Sequence, residues 1–185
     1  MALEKEKVPS NFVELYGAAA IRKMVEDIAE KIRAEYPENE EIVCVGVLKG
    51  AWIFHADLVR AINRDVRIDF MRASSYGMGT ATSGVVRILK DIETDIRDKH
   101  VLVVEEIIDS GRTLKFIKER LLQSGPKSVK IVALLDKKER REVDCEADFV
   151  GTVVPNHFVV GYGLDWGEKF RSLQAIYRVT DEKLH

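Results

Sequence analysis

Cysteine is scarce in this 185-residue chain: Cys44 sits in an apolar run and Cys145 in an acidic stretch, with no CxxC pair and no metal-spaced histidine. That excludes a disulfide scaffold and the usual zinc spacings, and fits two reduced thiols in a cytoplasmic protein. An excess of one charge is missing too. The 29 basic and 31 acidic side chains leave a formal net charge of -2, so no global positive field gathers nucleic acid, and any bound anion must be held locally. No uninterrupted apolar segment approaches membrane-spanning length, and the mostly charged stretch from Met1 to Ser10 lacks the apolar core of a signal peptide. The expectation is a cytoplasmic protein that meets neither membrane nor nucleic acid. Internal repeats, low-complexity tracts and linkers are absent, and 46% hydrophobic content over this length suffices for one sizeable core. A single domain over residues 1–185 follows. The nucleotide fingerprints fail as well: no G-x-x-x-x-G-K-[ST] occurs, and Gly161-x-Gly163 lacks a third glycine.

What is present reads as alternating strands and helices. Gly17 to Tyr36 puts Ile21, Met24, Val25, Ile28 and Ile32 on one helical face. Glu41 to Val47 is a short β-rich apolar run ending at Leu48-Lys49-Gly50, after which Ala51 to Ile62 reads as a helix. Arg67 to Met71 and Val85 to Leu89 look like strands, separated by a Ser-, Gly- and Thr-rich connection from Ala73 to Gly84. A connection of that length is either disordered or a working lid. His100 to Val104 is a buried-type strand, Glu105 to Gly111 a polar turn, and Thr113 to Gln123 a helix with Leu114, Ile117 and Leu121 in register before Gly125-Pro126. Further strands are expected at Val129 to Leu135, Phe149 to Val153, Phe158 to Val160 and Ala175 to Val179, with a frayed tail after Thr180. The pattern predicts an α/β fold, a mostly parallel central sheet flanked by helices on both faces.

In such a sheet ligands bind beyond the carboxyl ends of the strands, where the segment after Val104 must lie. Asp109-Ser110-Gly111-Arg112-Thr113 offers hydroxyls, a glycine for close backbone approach and the open amide end of the following helix, which are the parts of a phosphomonoester cradle. An Asp109 or Ser110 that merely caps the helix is the competing reading. Glu105 and Glu106 follow four apolar residues, and adjacent carboxylates at a buried strand end repel one another unless sugar hydroxyls or a metal use them. Solvated strand-end charges are the bland alternative.

The run Val103-Val104-Glu105-Glu106-Ile107-Ile108-Asp109-Ser110-Gly111-Arg112-Thr113 resembles the phosphoribosyl diphosphate signature of the type I phosphoribosyltransferases, and its Ile-Ile-Asp core resembles their hypoxanthine-guanine branch. Leu48-Lys49-Gly50, Ser74-Ser75-Tyr76-Gly77, Leu135-Asp136-Lys137 and Phe158 to Asp165 through Phe170-Arg171 are similar to that branch in the same order, spanning roughly Val45 to Leu173. The resemblance implies a phosphoribosyltransferase fold with a small hood from roughly residues 1–15 and 155–185. It implies that Glu105 and Glu106 face the ribose hydroxyls, that Ile107, Ser110, Gly111, Arg112 and Thr113 belong to the 5-phosphate loop, and that Asp109 is the general acid/base near N7 of a purine. One departure stands out: the second acid of the pair is normally aspartate, and Glu106 is one methylene longer. By the same resemblance Lys49 and Gly50 lie in a diphosphate loop entered through a non-proline cis peptide, and Arg171 contacts the leaving diphosphate. Asp165, with Glu105 and Glu106, holds magnesium. Lys137, Phe158 and Val159 recognise a 6-oxopurine, with Leu164 in the same motif, while Ser75 and Tyr76 close over the site.

Each position has a plainer reading: Lys49 and Arg171 as surface cations, Phe158 as core, Lys137 to Arg141 as a solvated charge run, and the Ser75-Tyr76 segment as a disordered loop. The implied reaction joins the ribose 5-phosphate of phosphoribosyl diphosphate to hypoxanthine or guanine, with Mg2+ as cofactor and a dimer or tetramer as the assembly. Two alternatives compete: a regulator that keeps the nucleotide site without efficient turnover, and a related transferase for pyrimidines, which Phe158 and Lys137 disfavour.

Overall fold

A computed structural model describes residues 8–76 and 85–180 of the chain. Its main sheet has six strands in the order β4-β3-β2-β5-β6-β7, namely Val85–Lys90, Arg67–Tyr76, Ile42–Val47, His100–Ile108, Ser128–Asp136 and Phe149–Val153. Every pairing is parallel except that of β3 with β4. The mostly parallel α/β sheet read from the sequence is therefore the observed one. Its strands read as unbroken apolar runs because both faces are covered.

The alternation of side chains across the pleat divides the core in two. Cys44, Leu102, Val104, Val132 and Leu134 face α1 (Ala18–Glu35) and α2 (Trp52–Ile62), whose Ile21, Val25, Ile28, Ile32, Phe54 and Leu58 complete that side. Val43, Val45, Val101, Val103, Ile131 and Ala133 face the opposite way onto Leu114, Ile117 and Leu121 of α3 (Arg112–Leu122). Both helical registers predicted from the 3.6-residue spacing are thus the buried ones.

A second, three-stranded antiparallel sheet joins the two ends of the chain in the order β1-β9-β8, from Phe12–Tyr16, Ile176–Val179 and Val159–Val160. Strand β1 carries little sequence signal because its burial does not alternate cleanly and its register shifts between Glu14 and Tyr16. Phe12, Val160, Leu173 and Val179 form a small core of their own there, against which Phe158 and Phe170 pack.

Two boundaries differ from expectation in ways that matter for the site. Strand β5 continues through Glu105 to Ile108, since Glu105, Ile107 and Ile108 stay in register with Ala133, Leu135 and Asp136. The expected polar turn is thus half strand. Similarly, the connection expected from Ala73 begins later: Ala73 to Tyr76 extend β3 and pair with β4. Residues 77–84 lie outside the described residues, as do the side chains of Ser75 and Tyr76.

Asp69, in β3 and almost fully buried, anchors the chain beyond β4 by accepting the N–H groups of Glu93 and Thr94, each at 2.8 Å. Burial alone would raise its pKa, but the N–H groups of Thr94, Phe70 and Glu93 outweigh that and hold it at about 2 against an ordinary value of 3.8. A depressed carboxyl pKa contributes stability that is complete above the unfolded value and is lost as pH falls through the folded one. The denaturant midpoints of wild type and Asp69→Asn should therefore lie furthest apart at neutral pH and converge as pH falls below about 4 toward 2. A gap of constant size over that range would show that the carboxylate charge is not what stabilises this turn.

Candidate active site

The strand order reverses between β2 and β5, because β2 is followed by β3 on one side while β5 leads to β6 and β7 on the other. Crossovers leave the sheet in opposite directions there and open a crevice at the carboxyl ends of the two strands. A cavity of about 250 Å3 occupies it, walled by Leu48, Lys49 and Gly50 after β2 and by Glu105 to Gly111 and Thr113 from β5 into α3. The Leu48–Lys49 peptide bond is cis, as the resemblance implies.

Packing in this crevice is tight enough to dictate residue type. A Cβ on Gly50 would lie 1.7 Å from Oε1 of Glu106, so the longer acid reaches right against the loop backbone. From the other side Gly163, at φ +99°, approaches so closely that its Cβ would lie 2.0 Å from the carbonyl oxygen of Gly50. Only glycine fits either place.

Glu105 and Glu106 are half-buried. Burial first, then repulsion from Glu106 and a hydrogen bond between the two carboxyls, push the pKa of Glu105 well above its ordinary 4.5. A cation or a sugar hydroxyl at this strand end would relieve that repulsion. Oε2 of Glu106 is buried with no partner, an atom placed to accept from such a ligand.

The loop before α3 is braced by two arginines. Asp109 does not cap α3: Oδ1 accepts from Nε of Arg140 at 3.1 Å, while the Asp109 carbonyl accepts from Nη1 of Arg141 at 2.7 Å. Ser110 Oγ accepts the Arg112 N–H at a long 3.4 Å, leaving the helix's amide end largely open to the cavity. Arg141 also pairs with the fully buried Asp136 and lies 3.1 Å from where a Cβ of Gly111 would be. The stretch from Lys137 to Arg141 is thus no uniform solvated run. Lys137 is buried, with its N–H on the Ile108 carbonyl at 2.9 Å.

A second cluster flanks Gly50. Arg171 donates to the Gly163 carbonyl at 2.8 Å, to Asp165 at 2.9 Å and to Glu168 at 3.3 Å. Lys49 reaches the same Glu168 oxygen at 2.9 Å, and the Glu168 N–H donates to Asp165 at 2.8 Å. Lys49 from one motif and Asp165 and Arg171 from another meet here, so neither cation is an unattached surface charge.

The remaining positions fall elsewhere in the fold. Phe158 is half-buried, packing on the small core with its ring 6.2 Å from that of Trp166 at 73°. Val159 is buried in β8, and Leu164 turns its side chain into the main core instead of the cavity. Arg140, Arg141, Asp136 and Glu168 were not singled out from sequence; nothing in their local pattern separates them from ordinary surface charges. A separate, larger groove of about 500 Å3 is lined by residues of α1 and α2, by Tyr162 and by Ser172 to Gln174. Tyr162 donates there to Asp57 at 2.6 Å, and Asp57 pairs with Arg60.

An acidic strand end, an open helix amide end and a lysine loop around one crevice define an α/β enzyme of the phosphosugar-binding class. Comparison with known proteins carries this further. The family model for the phosphoribosyl transferase domain matches residues 13–166, and the chain belongs to the phosphoribosyltransferase family, in its hypoxanthine-guanine branch. It is 52% identical to a hypoxanthine-guanine phosphoribosyltransferase of Aquifex aeolicus over 161 residues, covering 87% of this chain and 90% of that one. A hypoxanthine phosphoribosyltransferase of Salmonella typhimurium is 46% identical over 163 residues, covering 88% and 92%. The crystal structure of a Bacillus anthracis hypoxanthine-guanine phosphoribosyltransferase superposes with a TM-score of 0.86 at 48% identity, covering 90% of this chain and 98% of that chain.

The crowding at Gly163 makes a prediction. Gly163→Ala should destabilise the protein by about 1–3 kcal/mol through clash and left-handed strain. Gly167→Ala, at φ +58° with nothing within 4 Å of the new methyl, should cost no more than about 1–2 kcal/mol. Equal denaturant midpoints for the two variants would contradict the close approach to Gly50.

Proposed function

We infer that the chain is a purine-salvage enzyme that transfers the 5-phosphoribosyl group of phosphoribosyl diphosphate to hypoxanthine or guanine, releasing diphosphate. Family membership supports the activity. The observation that carries the site assignment is the shared cavity, in which the loop after β2 and the acidic end of β5 face each other.

In the proposed mechanism the bond from the anomeric carbon to the diphosphate oxygen breaks as purine N9 bonds to that carbon. The proton displaced from the imidazole ring passes to Asp109. Its carboxylate suits that task because it caps no helix and is held only by the half-exposed Arg140. Glu105 and Glu106 face the ribose hydroxyls and stabilise the oxocarbenium character of the anomeric carbon. The open amide end of α3 with Ser110, Gly111, Arg112 and Thr113 grips the 5-phosphate. Ile107, lining the cavity from β5, fills the space beneath the sugar. Lys49, the Gly50 backbone and Arg171 receive the diphosphate.

For the base, Lys137 follows directly on the strand end that pairs with Ile108, which supports donation to the 6-oxo group. An adenine amino group in that position would meet a donor with a donor. Phe158 offers a ring for stacking and the Val159 backbone reads the purine edge, with Leu164 supporting their segment from the core. Asp165 and the Glu105–Glu106 pair would hold magnesium, and the partnerless buried oxygen of Glu106 fits that role. Among the described residues no three carboxylates, histidines or cysteines cluster, so Asp165 and the glutamate pair would not share one ion as a three-carboxylate cage; either would offer one or two carboxylates to an ion whose shell substrate oxygens complete. When bound, magnesium supplies charge neutralisation to the leaving diphosphate. No helix among the described residues is long and apolar enough to cross a membrane. A cytoplasmic homo-oligomer, dimer or tetramer, is part of this proposal.

Nucleotide formation should be seen with hypoxanthine and guanine and not with adenine, and should stop when magnesium is chelated. Asp109→Asn should lower kcat by about 10²–10⁴-fold with the fold intact. No turnover with any 6-oxopurine, alongside undiminished nucleotide binding, would instead favour a regulator that kept the site and lost the chemistry.

A further inference from the structure

The proposed mechanism leaves one charged group at its edge without a task. Glu168 is 63% exposed, yet one of its carboxylate oxygens sits between two cations from separate segments, Lys49 at 2.9 Å and Arg171 at 3.3 Å. These are the cations assigned above to the diphosphate, an assignment on which the present inference rests. We propose that Glu168 is an internal counter-anion of the diphosphate site, holding Lys49 and Arg171 in its absence and competing with diphosphate for them.

The geometry supports replacement in preference to permanent pairing. Arg171 is fixed independently of Glu168 by its bonds to the Gly163 carbonyl and to Asp165, so it stays in place when the carboxylate leaves. The backbone of Glu168 is held by its N–H on Asp165, which leaves the exposed side chain as the part free to swing away. Its hydrogen bond from Lys49, and then that from Arg171, keep the pKa of Glu168 below its ordinary value, so the competitor is charged throughout the neutral range. One carboxylate offers less charge than a diphosphate with its several anionic oxygens, so the substrate prevails, but against opposition. On release the same carboxylate reclaims the cations and lowers the affinity of the site for its leaving product. A surface acid that only bolstered the loop would have the opposite effect, because its removal would loosen the cations and weaken anion binding.

The sign of the change is the test. Inhibition by diphosphate, in the presence of magnesium, should tighten by about threefold to tenfold in Glu168→Gln, the range expected for loss of exposed ion pairs. The KM for phosphoribosyl diphosphate should fall with it. Glu168→Asp, which keeps the charge, should stay nearer to wild type than Glu168→Gln. The gap between wild type and Glu168→Gln should narrow as salt rises from about 0.05 to 0.5 M, as screening shortens the reach of an exposed charge. Unchanged or weakened diphosphate inhibition in Glu168→Gln, with normal wild-type turnover, would overturn this inference alone. A wild-type protein that neither turns over nor responds to diphosphate would overturn the functional reading beneath it.

Discussion

Gly50 is the narrowest point of the molecule's working surface, and much of the site is organised by how little room it leaves. The Glu106 carboxylate presses on it from β5, and the Gly163 backbone presses on it from the loop that carries Asp165 and Arg171. Three segments far apart in the chain are thereby locked at van der Waals distance without any side chain from Gly50 itself. Close-packed backbones transmit position better than long side chains do, since they have no rotamers to vary. The Glu106 side chain ends at this contact, which a side chain on Gly50 would remove.

Charge in the crevice is balanced internally. Burial first, and then the Glu106 charge beside it, push the Glu105 carboxyl toward its neutral form. Lys49 and Arg171 meet on Glu168, and Asp109 rests on Arg140. Burying unpaired charges would be costly, so in the proposed reading a carboxylate of the protein stands in where the diphosphate would bind. Binding is then an exchange of partners, which limits ground-state affinity and leaves more of the interaction for the transition state.

The central strands, the three covering helices and the open amide end of α3 were legible because each rests on a local period or a local motif. The end of β5 was not. Glu105 to Ile108 look like a turn by composition, yet β6 supplies partners for them out to Asp136, and pairing between distant strands leaves no trace in either one alone. Ala73 to Tyr76 were assigned to a loop for the same reason, β4 being what makes them a strand. The resemblance to a family selected Lys49, Asp165 and Arg171 without their plan, and their meeting on Glu168 depends on two segments separated by more than a hundred residues in sequence. Leu164 shows the converse limit: motif membership placed it near substrate, but in the turn closed by its bridge to Gly161 its side chain lies in the core.

The same reasoning explains why Arg141 matters although sequence gives it no distinction. Asp136, at the end of β6, is completely buried, and a buried carboxylate needs a cation. Arg141 provides it and spends a second N–H on the Asp109 carbonyl. Lys137, the residue assigned to the purine's 6-oxo group, is the immediate neighbour of Asp136, so one guanidinium ties the Asp136 carboxylate to the backbone of Asp109, the residue proposed as acid/base. Proton transfer depends steeply on the separation of the reacting groups. In the proposed mechanism, tying Asp136 and Asp109 to one guanidinium would help set that separation, while the Asp109 carboxylate, half-exposed on Arg140, would turn toward the ring. Rigidity beneath the loop and freedom at its carboxylate are therefore two consequences of how adjacent arginines divide their hydrogen bonds.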